Sequence, residues 1–206
     1  MEFNSEIYLS PSYKKDDFHA LQLAVNSSGE TWQKAVDIFA DRIEGRFLSQ
    51  IQVLSDDINK NGFSIMALNC LLIETILQFE IGRNNTPTYN RTQYSGFLLK
   101  SFPAIFSTND SAECFYRDIR CGILHSAQTK GKSKLTCDNS YIVRYAEGGI
   151  AVSVKRFSTT LYDYYERYKH LLLDETQTQV RHNFIKKNEF CVSLILISLY
   201  LLYIHN

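Results

Sequence analysis

From Trp32 to Ile58 the chain repeats one pattern that leaves it little freedom. Trp32, Val36, Phe39, Ile43, Phe47, Ile51, Leu54 and Ile58 recur at steps of three or four residues, the period that lines one face of an α-helix. Asp37, Asp41 and Arg42 fall off that line. Such a helix is stable only where its stripe is buried, so the chain must bring other elements to it. Gly62, with Asn61 beside it, is expected to end the helix. Residues 63–81 (FSIMALNCLLIETILQFEI) then read as a second helix, apolar nearly all round and therefore central in a bundle. Gly82 is its expected cap. Glu74 is its anomaly, because a carboxylate in such a segment is rarely buried without a partner.

Composition agrees with a packed, helix-rich protein. The 206 residues are 45% hydrophobic and 21% charged, ordinary globular usage that argues against global disorder or a fibrous chain. Nine Gly and three Pro leave little room for a loop-rich sandwich. The length suits one domain, or one domain with a tail, with a core that needs no metal or disulfide staple. Lys plus Arg and Asp plus Glu both total 22, so the net charge is zero. That disfavours a nucleic-acid binder working by bulk charge, although a local basic site stays open. The five cysteines, Cys70, Cys114, Cys121, Cys137 and Cys191, contain no Cys-x-x-Cys pair, and the N-terminal residues lack the apolar core of a signal peptide. Reduced thiols and a cytoplasmic location are the expectation.

The remaining pattern suggests three regions. Residues 1–30 read as an irregular lead-in with one short turn near Phe18–Leu23, residues 31–190 as the helical domain, and residues 191–206 as an apolar C-terminal segment. Within the domain, 83–92 is a predicted loop, and 93–101 a short helix broken by Pro103. Asn109, Asp110 and Ser111 offer N-cap chemistry for a helix over about 111–127. Residues 134–137 and 141–145 look extended, and Gly148-Gly149 followed by Ile150, Val152 and Val154 suggests a hairpin return. Phe157, Leu161, Tyr164, Tyr168 and Leu171 restore the helical period, and a last helix is expected over about 175–189. The run 190–204 is almost wholly apolar, yet it is shorter than the roughly 20 residues that span a bilayer. A buried or partner-facing role is favoured over membrane insertion. The fold class is thus mainly α, with a small β-hairpin insertion.

Phosphate-loop, dinucleotide, nucleophile-elbow and zinc-protease signatures are absent from the chain. The densest polar chemistry lies between Glu113 and His125. At 100° per residue, Cys114, Asp118, Cys121 and His125 fall within about 60° of one another on a regular helix. Arg120 lies about 140° round from His125 and about 7.5 Å below it, within reach only through its long side chain. One reading is an ordinary helix with a Glu113–Arg117 pair, solvated arginines and a locally bonded His125. A metal site through Cys121 and His125, joined by Cys114 and Cys137, matches no common structural zinc spacing.

The run Phe115-Tyr116-Arg117-Asp118-Ile119-Arg120-Cys121-Gly122-Ile123-Leu124-His125 resembles the signature helix of the HEPN superfamily, which carries Arg-x4–6-His on a late helix of an α-helical bundle. Arg120 and His125 match it, with Leu71-Leu72-Ile73-Glu74 fitting the bundle, and the resemblance spans about residues 31–190. The residue after the arginine, commonly Asn, Asp or His, is Cys121 here. The resemblance implies a HEPN-like bundle acting as a metal-independent endoribonuclease of toxin or phage-defence type. Its composite site would form between two copies, with no cofactor. RNA, a second copy and an antitoxin or regulatory protein are the implied partners. Arg120 and His125 are the implied catalytic pair, with Arg117, Asp118, Cys121 and Glu74 as substrate-binding or supporting residues. Arg117 would hold neighbouring phosphates, Asp118 would orient His125 across the dimer or stand solvated, and Glu74 would pair with Arg117 or Arg120. Lys130, Lys132 and Lys134, which follow the motif, would either draw RNA to the cleft or form an ordinary solvated loop. The competing reading is a non-catalytic HEPN-like module that binds a protein or RNA.

Overall fold

The computed structural model describes residues 8–83, 90–146 and 148–189, so the apolar run 190–204 lies outside it. The protein is mainly α-helical with one small sheet, as expected. Its chain divides into two compact units built from discontinuous segments: one from residues 1–48, 78–85 and 167–206, the other from 49–77 and 86–166.

The first unit opens with α1 (Lys15–Ala20), a short helix where an irregular lead-in with a turn is expected. The first long helix, α2 (Gly29–Ile43), begins where the Ser28 side chain accepts the Thr31 N–H. Its stripe is buried as the periodicity requires: Trp32, Val36, Phe39 and Ile43 are at most 3% exposed. Phe39 meets the edges of Phe79, Tyr168 and Phe184, with ring centroids 4.8–5.8 Å apart. Each such buried aromatic stabilises the fold by about 2 kcal/mol. Phe184 belongs to a helical stretch at residues 178–189, three residues later in its start than the pattern suggests.

The second unit holds α3 (Ser49–Leu54) and most of α4 (Ile58–Ile81). Asn61 and Gly62 do not end the first helix. The helical chain runs on, changing to a π turn at Glu44–Leu48 and a 3-10 turn at Ser55–Asp57. Gly62 is retained inside α4 because a helix interior tolerates Gly at about 1 kcal/mol when packing supplies the rest. Ile65, Met66, Cys70, Leu72, Ile73 and Ile76 are fully buried, whereas Phe63 and Leu71 are 44% and 41% exposed. The helix is therefore central but leaves one apolar side uncovered within the described residues.

Next come α5 (Asn90–Ser101) and a helical rod of three parts: α6 (Asn109–Cys114), a π segment at Phe115–Arg120, and α7 (Cys121–Ser126). Thr108, not Asn109, Asp110 or Ser111, is the N-cap. Its hydroxyl accepts the Ser111 N–H at 3.2 Å while Ser111 Oγ accepts the Thr108 N–H at 3.3 Å. The rod ends at Ala127, whose left-handed backbone (φ 52°) turns the chain back.

Strands β1 (Lys134–Thr136), β2 (Val143–Ala146) and β3 (Gly149–Ser153) form a sheet of order β1-β3-β2. β2 and β3 make the expected antiparallel hairpin, and β1 adds to the far side of β3 in parallel. Then α8 (Val154–Leu173) follows β3 without a loop. Phe157 stacks on Phe115 at 5.0 Å, which ties α8 to the π segment.

Candidate functional site

The π segment decides which side chains of the rod meet. Its i→i+5 hydrogen bonds, such as Cys121 N–H to Tyr116 carbonyl, wind less per residue than an α-helix. The single face expected to hold Cys114, Asp118, Cys121 and His125 therefore does not form. Two separate clusters take its place.

The first gathers around Arg120. Its Nη2 donates to Glu74 Oε2 at 2.7 Å, and the two side chains are only 12% and 17% exposed. Its Nη1 lies 3.4 Å from Nε2 of the exposed His125 and 3.9 Å from Cys121 Sγ. The guanidinium sits over the Tyr116 ring at 5.5 Å, a cation–π contact. Burial works against its charge, but the Glu74 hydrogen bond and opposite charge prevail, so Arg120 holds its proton more firmly than a free arginine. Arg120 Nε is buried with no hydrogen-bond partner among the described residues. Beneath this group, Tyr94 packs on Tyr116 with centroids 5.4 Å apart, and burial pushes the Cys70 thiol up to about 12.

The second cluster surrounds Asp118, which is 2% exposed. Arg117 grips both of its oxygens, Nε to Oδ1 at 2.6 Å and Nη2 to Oδ2 at 3.0 Å. Ser133 Oγ donates to Oδ2 at 2.9 Å, and Cys114 Sγ approaches the same oxygen at 3.4 Å. Ser133 Oγ in turn accepts the Ile150 N–H at 3.1 Å, and the Asp118 carbonyl accepts the Lys130 N–H at 3.0 Å. Burial opposes the carboxylate; the bonds from Arg117, Ser133 and Cys114 outweigh it and hold the Asp118 carboxyl below its ordinary range. Asp118 thus fastens the returning loop and β3 to the rod rather than facing His125 of its own chain. Close packing reinforces this, since a Cβ on Gly122 would stand 2.5 Å from the Gln128 carbonyl oxygen.

The sequence-derived residues fall into two groups. Arg120, His125, Glu74 and Cys121 come together, whereas Arg117 and Asp118 form a separate ion pair. Glu113 pairs with Arg91 and accepts from Asn109 at 3.0 Å, not with Arg117. Arg117 also lines a recess of about 410 Å³ with Thr108, Cys114 and Tyr145. Tyr116 and Ser133 were not legible as site residues. Tyr116 lies four residues before Arg120, a spacing that brings side chains together on helices; Ser133 carries no local signal. Among the described residues, no three His, Cys, Asp or Glu side chains converge as a metal site. No protein-family model, curated protein or solved structure matches this chain.

Proposed function

We propose that the protein is a metal-independent endoribonuclease of HEPN type, its site completed by a second copy of the chain and its role cytoplasmic toxin activity or phage defence. The observation that carries this reading is the 3.4 Å approach of Arg120 Nη1 to His125 Nε2, with Arg120 held from behind by Glu74. The two residues named by the Arg-x4-His spacing are in hydrogen-bond reach despite their angular separation on a regular helix.

The chemistry follows from the groups. A phosphate oxygen bridging Arg120 Nη1 and His125 Nε2 would replace their direct contact, and Arg120 would hold the charge that develops on phosphorus-bound oxygens. An imidazole can take the 2′-hydroxyl proton as the 2′-oxygen attacks phosphorus, or give a proton to the departing 5′-oxygen. One His125 supplies one of these roles, and a second copy of the helix supplies the other. The bond broken is P–O5′, and the products are a 2′,3′-cyclic phosphate and a 5′-hydroxyl. DNA, lacking the 2′-hydroxyl, resists.

The test is cleavage of a mixed-sequence RNA in EDTA by wild type, Arg120→Lys and His125→Ala. Cleavage by wild type alone, with cyclic-phosphate ends, supports the reading. Equal cleavage by folded His125→Ala sinks it. The second reading, a non-catalytic module binding a protein or RNA, draws on the mostly buried Arg120–Glu74 pair, which a purely structural arginine also shows. It is favoured if no RNA is cut while a partner is bound.

A further inference from the structure

The net charge of zero conceals an uneven distribution. Residues 127–160 carry six cations, Lys130, Lys132, Lys134, Arg144, Lys155 and Arg156, against two carboxylates, Asp138 and Glu147. This stretch is net +4, so the rest of the chain is net −4. All six cations are exposed.

The sheet register orders part of this charge. Lys134 of β1 and Arg144 of β2 both pair with Ala151 of β3. Side chains directly opposite one another in a sheet point to the same face. Lys134 and Arg144 therefore flank the central strand on one face, two strand spacings or about 10 Å apart. Between them Gly149, Ala151 and Ser153 of β3 are buried, so the two cations stand exposed on the strands either side of a covered strand. Ile150 and Val152, on the other face, are at most 2% exposed. Arg144 is braced over the Tyr141 ring at 4.7 Å, which lowers the entropy cost of using it. Lys132 lies along the same end of the sheet, its N–H bonded to the Gly148 carbonyl at 3.4 Å.

Asp118 joins this face to the rod that bears Arg120 and His125. Its carbonyl holds Lys130 N–H, and its carboxylate holds Ser133, the residue between Lys132 and Lys134. A buried carboxylate committed to the loop fixes where the cations stand relative to the motif helix.

We propose that the exposed cations of the loop and flanking strands, Lys130, Lys132, Lys134 and Arg144, bind the phosphate backbone of single-stranded RNA and feed it to the Arg120–His125 site. The proposal rests on the ribonuclease reading for its ligand, and on the charge distribution and register for its location. Binding is electrostatic and tolerant of sequence. Asp118 is a positioning residue in it.

The experiment uses full-length His125→Ala protein, which still binds RNA without cutting it. Fluorescence anisotropy with a labelled 20-nucleotide single-stranded RNA is read across 50–200 mM salt. The same background carries Lys132→Ala/Lys134→Ala/Arg144→Ala, whose exposed sites leave thermal stability within about 2 °C of the parent. The expected result is at least a tenfold loss of affinity at low salt. The slope of log affinity against log salt should fall by about 2, at about 0.7 for each phosphate of a single strand that a cation no longer neutralises. Unchanged affinity and slope overturn the surface. So does poly-L-glutamate competing as well as unlabelled RNA, which marks a face for acidic protein. Cleavage by wild type is measured separately. If wild type cuts RNA while the triple variant binds normally, only the surface falls. If RNA binds through these cations and is never cut, only the nuclease reading falls.

Discussion

At the scale of single residues, Arg120 and His125 answer to different energetics. Arg120 and Glu74 are both mostly buried, and removing one takes from the other its ion-pair partner. Arg120→Ala and Glu74→Ala should each cost about 3 kcal/mol in urea unfolding, and the double variant should cost less than their sum. Additive losses would show that the two charges are not coupled. His125 is exposed, so His125→Ala should change stability by under about 0.5 kcal/mol. It is the cleaner probe of function, because an activity loss there cannot be traced to unfolding. The cysteines differ in the same way. Burial pushes the Cys70 thiol up to about 12, leaving about one part in ten thousand as thiolate at pH 8, while Cys137 is exposed. Brief alkylation followed by peptide mapping should label Cys137 in the native protein and Cys70 only in denaturant. Fast native labelling of Cys70 would contradict its burial.

At the scale of elements, glycines separate packing from propensity. Gly96 in α5 has open space where a Cβ would stand, so Gly96→Ala should stabilise by about 0.5–1 kcal/mol. Gly122 also sits in a helix, but its Cβ would press on the Gln128 backbone oxygen at 2.5 Å. Gly122→Ala should destabilise by about 1–3 kcal/mol despite alanine's better propensity. Thermal melts of the two variants should move in opposite directions; a shared direction would mean that the loop does not press on the rod. These cases also explain what the sequence made legible. Apolar periodicity located α2 and α8, because burial of one face is what makes those helices stable, and α4 was legible as a run apolar nearly all round. Gly62 misled, since a breaker's cost is local and is overridden by the packing of a long helix. The π segment at Phe115–Arg120 was invisible, because its altered winding leaves the residue pattern helical while rotating Asp118 away from Cys121 and His125. A partner for Glu74, either Arg117 or Arg120, was anticipated from the rarity of unpaired buried carboxylates, and the structure pairs it with Arg120. Ser133's link to Asp118 was not, because interactions across a returning loop leave no periodic trace. The Asp118 anchor has its own pH signature. Its folded carboxyl titrates below the unfolded value of about 3.9. The stability it contributes is therefore present above that value and is lost as pH falls through the folded one. Below about pH 4, wild type should lose stability more steeply than Asp118→Asn, which is already weaker at neutral pH. Parallel acid limbs in urea titrations from pH 5 to pH 2 would remove Asp118 from that role.

At the scale of the whole molecule, neutrality and polarity coexist. A chain with no net charge and a +4 segment has a side that attracts polyanions and a remainder that repels them, so binding orients the ligand as well as holding it. The proposed chemistry needs a base and an acid at one phosphodiester, and each chain offers one His125 within reach of Arg120. Self-association and activity should then be linked. Specific activity should fall on dilution, following the same midpoint as the mass measured by sedimentation. Mixing wild type with an excess of His125→Ala should lower cleavage below that of the wild-type content alone, because a mixed pair holds one His125 where the reaction needs two. Full activity from a monomer at every dilution would overturn the shared site and require a second acid–base group within one chain.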